Sequence, residues 1–92
     1  MVKFLVHDKN DSVGVAVTDI KVGETVKGYF MEEGNEIEVV SNSDILLGHK
    51  IALVDVTKGN QIIKYGFPIG VTTHDIAVGE HVHTHNLKTA RW

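Results

Sequence analysis

One phrase recurs four times in the chain: Asp, then Ile or Val, two residues, Gly, two residues, and Ile or Val again. It reads Asp19-Ile20…Gly23…Val26, Asp44-Ile45…Gly48…Ile51, Asp55-Val56…Gly59…Ile62 and Asp75-Ile76…Gly79…Val82. The phrase has a local physical meaning. Aspartate accepts backbone N–H bonds and so caps the start of a single helical turn. A glycine four residues on suits the left-handed conformation that closes such a turn. The β-branched residue three further on opens a strand with its side chain turned inward. Each copy is therefore expected to be a tight turn feeding a strand. The uneven spacing of the copies excludes a solenoid of fixed period.

The segments between the copies also read as strands. Val13, Val15 and Val17 alternate with Gly14 and Ala16, and Ile37 and Val39 alternate with Glu36 and Glu38, as in a half-buried strand. Phe4-Leu5-Val6, Thr25 to Met31 and Ile62 to Tyr65 are further candidates. No stretch of ten residues combines helical periodicity with good helix formers. The expected fold is mostly β, a small domain of short strands and single helical turns with no internal linker.

Composition narrows the functions open to such a domain. The 92 residues include no cysteine, which removes disulfides, thiolate metal sites and cysteine-held iron–sulfur clusters. A core this small makes help from a partner plausible. The net charge of −3, with basic residues scattered from Lys3 to Arg91, argues against nucleic acid. No apolar run approaches the ~20 residues that span a bilayer, and the start turns polar too early for a secretory signal. A cytoplasmic protein is expected. There is no G-x-x-x-x-G-K loop for a nucleotide and no G-x-S-x-G elbow for an acyl-enzyme.

Histidine is the unusual residue, with three of six inside Gly79-Glu80-His81-Val82-His83-Thr84-His85-Asn86. On a strand, alternate side chains share a face. Val82 takes the inward slot of the repeat, so Thr84 is expected inside, with His81, His83 and His85 together on the other face. Neutral imidazoles ligate zinc, iron or manganese, and His81, His83 and His85 are the candidate metal ligands. A polar strand face rich in histidine, or an interface, fits the same pattern. In Gly48-His49-Lys50-Ile51-Ala52-Leu53, Ile51 and Leu53 read as core and Lys50 and Ala52 as the opposite face. His49 stands on the turn, where it either reaches a cleft or is solvated. In Ile63-Lys64-Tyr65-Gly66-Phe67-Pro68-Ile69-Gly70, two glycines and the only proline suggest a turn crossing close to other backbone, with Phe67 and Ile69 in the core. Lys64 and Tyr65 could hold an anion or simply pack at the surface. His7 and His74 have no supporting pattern.

These phrases together resemble the SAF-domain unit of the UxaA family. They are Gly48 to Leu53, Ile63-Lys64-Tyr65-Gly66, Pro68-Ile69-Gly70 and Gly79 to Leu87, with Phe4 to Asp8 and Val13 to Ala16 in support. That family includes altronate and galactarate dehydratases and a two-subunit sulfolactate sulfo-lyase, and the ending Asn86 to Trp92 is most similar to the last branch. Tyr29 to Glu36 matches no family phrase. The resemblance implies a β-clip fold, with residues 1–92 as a single SAF domain. It further implies a lyase small (alpha) subunit working with a separate large (beta) catalytic subunit in an oligomer. A divalent metal, Fe2+ first, and a small anionic 2-hydroxy acid substrate are implied too. Elimination of sulfite from sulfolactate to give pyruvate is the expected reaction. Loss of water from a sugar acid is the alternative, and a non-catalytic carbohydrate-binding or accessory module the third. On this resemblance His49, His83 and His85 are the expected catalytic residues, and Lys50, Lys64 and Asn86 the substrate-binding ones.

Overall fold

Phe4 sets the centre of the architecture. Its ring fills the space that side chains at Gly14 and Gly28 would need: a Cβ at those positions would lie 2.6 and 1.9 Å from the ring. The computed structural model describes residues 1–89, so the last three residues of the family-like ending lie outside the described residues. Nine strands and no helix occur among them. They are β1 (Val2–Val6), β2 (Val13–Ala16), β3 (Thr25–Phe30), β4 (Glu36–Val40), β5 (Lys50–Ala52), β6 (Gln61–Lys64), β7 (Phe67–Thr72), β8 (His81–Val82) and β9 (Leu87–Thr89). A six-stranded sheet runs β4-β3-β1-β2-β5-β8 and a three-stranded sheet runs β6-β7-β9. β1 and β3 are parallel, and the other pairs are antiparallel. The mostly-β expectation holds.

The four phrases form two interlocked pairs. Ile20 bridges Ile45, and Val56 bridges Ile76. Within each pair the aspartates cross over. Asp44 accepts the Val22 N–H and Asp19 the Leu47 N–H, both at 2.9 Å. Asp75 accepts the Lys58 N–H at 2.8 Å and Asp55 the Val78 N–H at 2.9 Å. Each carboxylate therefore caps its neighbour's turn, not its own. The turns are also not helical. Glu24, His49, Asn60 and Glu80 each donate to the carbonyl three residues back, and the glycine before each has φ between 84 and 89°. A positive φ at the third position is the mark of a type II β-turn. The inward residues Val26, Ile51, Ile62 and Val82 are all buried, as the phrase requires.

Two apolar clusters result. Phe4, Val6, Ala16, Ile20, Ile45 and Ile51 belong to the first, while Val13, Ala52, Val56, Ile62, Ile76 and Val82 belong to the second. β2 and β5 run between them and are covered on both faces. Ala52, on the opposite face of β5 from Ile51, is therefore buried in the second cluster. In β2 the small residues Gly14 and Ala16 meet Phe4, and Val17 lies exposed. Ile37 and Val39 do alternate inward along β4.

The Ile63–Gly70 segment is a hairpin. Tyr65 and Gly66 (φ 55 and 76°) link β6 to β7, as a type I′ connection requires, and the buried Asp11 carboxylate accepts both their N–H groups at 3.1 and 2.9 Å. Phe67 is 71% exposed and not core, because it pairs with Lys64 at the hairpin end; Ile69 packs against the second cluster. The close crossing is at Gly70, where a Cβ would lie 2.4 Å from the Lys88 carbonyl. No helix among the described residues is long and apolar enough to cross a membrane.

Candidate metal centre

The antiparallel register of β5 and β8 places Ile51 opposite His81 and Lys50 opposite Val82. His49 ends the turn that begins at Leu46, just before β5, and so stands beside His81 although 32 positions separate them. Nδ1 of His49 lies 2.8 Å from Nε2 of His81, a distance at which one ring donates its N–H to the other. The His49 and His83 ring centroids are 4.7 Å apart, and those of His81 and His83 are 5.6 Å apart with near-parallel planes.

His83 arrives there by a turn. The extended conformation ends at Val82, and the His83 carbonyl accepts from the Asn86 and Leu87 N–H groups at 3.0 and 2.9 Å. Asn86 makes this turn possible. Its Oδ1 accepts the His83 N–H at 2.9 Å, while its Nδ2 donates to the His81 carbonyl at 2.8 Å and to the Glu80 carboxylate at 3.3 Å. Glu80 in turn accepts the Ala77 N–H at 3.0 Å. The expectation of one strand carrying three histidines with Thr84 inside is therefore corrected. Thr84 is exposed, and the histidines converge because the chain curls around Asn86.

The ligand atoms of His49, His81 and His83 lie within 4.8 Å of one another. His85 is outside this group, although its ring lies 5.2 Å from that of His81. Three imidazoles fit a divalent ion in kind, since all-nitrogen sets suit zinc, iron, copper and nickel. They also fit in spacing after a small adjustment. Ligands on such an ion at about 2.1 Å stand about 3.0 Å apart in an octahedron and about 3.4 Å apart in a tetrahedron, so the 2.8 Å pair needs to open and His83 to close in. His83 is exposed, which leaves its side chain free to do so.

Burial depresses the pKa of His81 below the ordinary imidazole value, helped by the charges that His49, His85, His83 and Lys50 carry when protonated. A neutral ring is the form a metal or a proton acceptor needs. Lys50, on the face of β5 opposite to His49, is pushed below the ordinary lysine value by burial first and by Lys64 second. The Lys64 ammonium lies 4.7 Å from the Tyr65 ring centroid, and the His7 ring packs 4.1 Å from the same ring. Lys50 thus interacts through charge with Lys64 and with His81, while its side chain leaves the opposite face of β5 from His49. Asn86, only 1% exposed, has its amide engaged within the loop. Sequence patterns gave no sign of the fastening by Glu80, or of Ser43, whose hydroxyl accepts the His81 N–H at 2.7 Å.

An all-strand domain with an open imidazole cluster where β5 meets β8 defines a small module with a candidate metal centre at its surface. The chain belongs to the SAF-domain family of altronate/galactarate dehydratases, whose model matches residues 2–90. It is 38% identical over 92 residues to the (2R)-sulfolactate sulfo-lyase subunit alpha of Chromohalobacter salexigens, covering 99% of this chain and 98% of that one. It is 43% identical over 60 residues to the protein of the same name from Paracoccus pantotrophus, covering 65% and 90% of the two chains. It is also 46% identical over 89 residues to the altronate dehydratase of Bacillus subtilis, covering 97% of this chain but only 17% of that protein.

Proposed function

We propose that this chain is the small subunit of a carbon–sulfur lyase that eliminates sulfite from (2R)-3-sulfolactate, working in the cytoplasm with a larger subunit. The observation that carries this reading is the clustering of His49, His81 and His83 in a chain that matches a sulfo-lyase alpha subunit from end to end.

The substrate carries a carboxylate and a hydroxyl on C2 and a sulfonate on C3. Loss of the C2 proton and departure of sulfite from C3 leave the enol of pyruvate, which ketonises. The step needs a base at C2 and stabilisation of the charge that builds on the carboxylate. His49, His81 and His83 would hold a divalent metal, Fe2+ first. Such an ion supplies Lewis-acid stabilisation of that carboxylate. His85, tilted against His81 but outside the trio, is the imidazole left to accept a proton. Lys50 and Lys64 receive the anionic groups of a doubly charged substrate. Asn86 is assigned to positioning His81 and His83, in place of contact with substrate.

The 46% identity to an altronate dehydratase favours a second reading, in which the same residues expel water from a sugar acid. The chain reconstituted with its large subunit and offered each substrate decides between them. Sulfite release, reduced at least ~100-fold by His81→Ala with the fold retained, is the expected result. Water loss from altronate or galactarate without sulfite release selects the second. No turnover of either leaves a non-catalytic module.

A further inference from the structure

The four equivalent turns act as internal controls for one another. In each, the two residues after the Ile or Val of the phrase contribute backbone, and the second of them gives its N–H to the partner aspartate. Their side chains are left largely outside the fold: all but Ala77 are exposed, Val78 at 38%, and the Thr57 hydroxyl accepts from the Asn60 amide. One turn accordingly carries Thr57 and Lys58, both exposed. At the same positions the pair of turns next to His49 carries Val22, Leu46 and Leu47, which are 61%, 60% and 61% exposed.

Single exposed apolar residues are ordinary on protein surfaces. These three lie on two turns bound to each other through Asp19, Asp44 and the Ile20–Ile45 bridge, and Val17, 42% exposed, adjoins them where the Gly48 N–H donates to the Ala16 carbonyl. Leu46 and Leu47 also belong to the turn that ends in His49, which runs the apolar surface into the imidazole cluster. That cluster is open to water, with His83 and His85 exposed. Proton abstraction beside a carboxylate is favoured when the site is closed to solvent.

We infer that Val22, Leu46 and Leu47 form the docking surface for the larger lyase subunit, whose apolar face covers the imidazoles and completes the site. This rests on the subunit reading above. Two relatives support a large partner as the occupant. One is named as an alpha subunit, and in the altronate dehydratase the matching unit is 17% of a longer chain.

The test replaces the side chains without asking anything new of the fold. Leu46→Thr with Leu47→Lys gives this turn the residues that the turn at Thr57 and Lys58 already carries. The chain, co-expressed with its large subunit, is assayed for complex formation, and the free chain for melting and mass. The expected result is unchanged melting, with association at least about tenfold weaker in the double variant and unaffected by Lys58→Leu. A complex of undiminished affinity overturns the assignment. So does a free wild-type chain that dimerises through this patch while the double variant, now monomeric, still binds the large subunit normally. No complex with the wild-type chain overturns the subunit reading and this inference together. A complex that forms as expected but turns over neither substrate overturns the reaction and leaves the docking surface standing.

Discussion

Asn86 is the residue on which the site depends most without touching its chemistry. It is buried, donates to the His81 carbonyl and accepts from the His83 N–H, so it bends two histidines toward a third. The histidine-rich phrase was legible in the sequence, but its shape was not. Alternation alone predicts a strand through His85, whereas an Asn that binds the backbone of neighbouring residues favours a turn. The chemistry at this scale has a pH signature. Burial and neighbouring charges lower the His81 pKa in the folded state. Between that lowered value and about 6.5, the unfolded chain takes up a proton that the folded chain refuses, so stability rises with pH across this window. The melting temperature is expected to fall as pH drops below about 6.5, and less so in His81→Asn. An equal fall in both would show that His81 is not the group responsible.

At the scale of elements, the crossed aspartates explain how strands of two to six residues are held without a helix. Each turn depends on a carboxylate from another part of the chain, so the turns stand or fall in pairs. The recurrence of the phrase, the inward Val or Ile and the strand after it could all be read from residue types. The pairing could not, because nothing local says whether an aspartate caps its own turn or a neighbour's 17 to 28 positions away. The same limit hid the meeting of His49 with His81, which follows from the β5–β8 register. Asp44→Ala removes the hydrogen bond that holds the Val22 amide, and is expected to cost about 1 kcal/mol and to speed hydrogen exchange at that amide. Faster exchange at Leu47 alone would restore capping within the same turn.

Over the whole molecule, two clusters share β2 and β5, and the imidazole site stands where β5 and β8 meet at the edge of the larger sheet. The fold thus spends its apolar residues on two small cores and leaves its chemistry at the surface. That arrangement suits a domain that works against another chain. The family and the fold class were legible because turn signals and short phrases are local. Which histidines assemble was not, since it depends on how distant strands pair.

Cobalt(II) titration of the purified chain, followed by its visible absorption, tests that assembly most directly. Imidazole ligands bind cobalt as they do other divalent first-row metals. One ion per wild-type chain is predicted, lost in His49→Ala and His81→Ala and retained in His85→Ala. Binding that survives His49→Ala but disappears in His85→Ala would contradict the site, and so would a wild-type chain that takes up no metal.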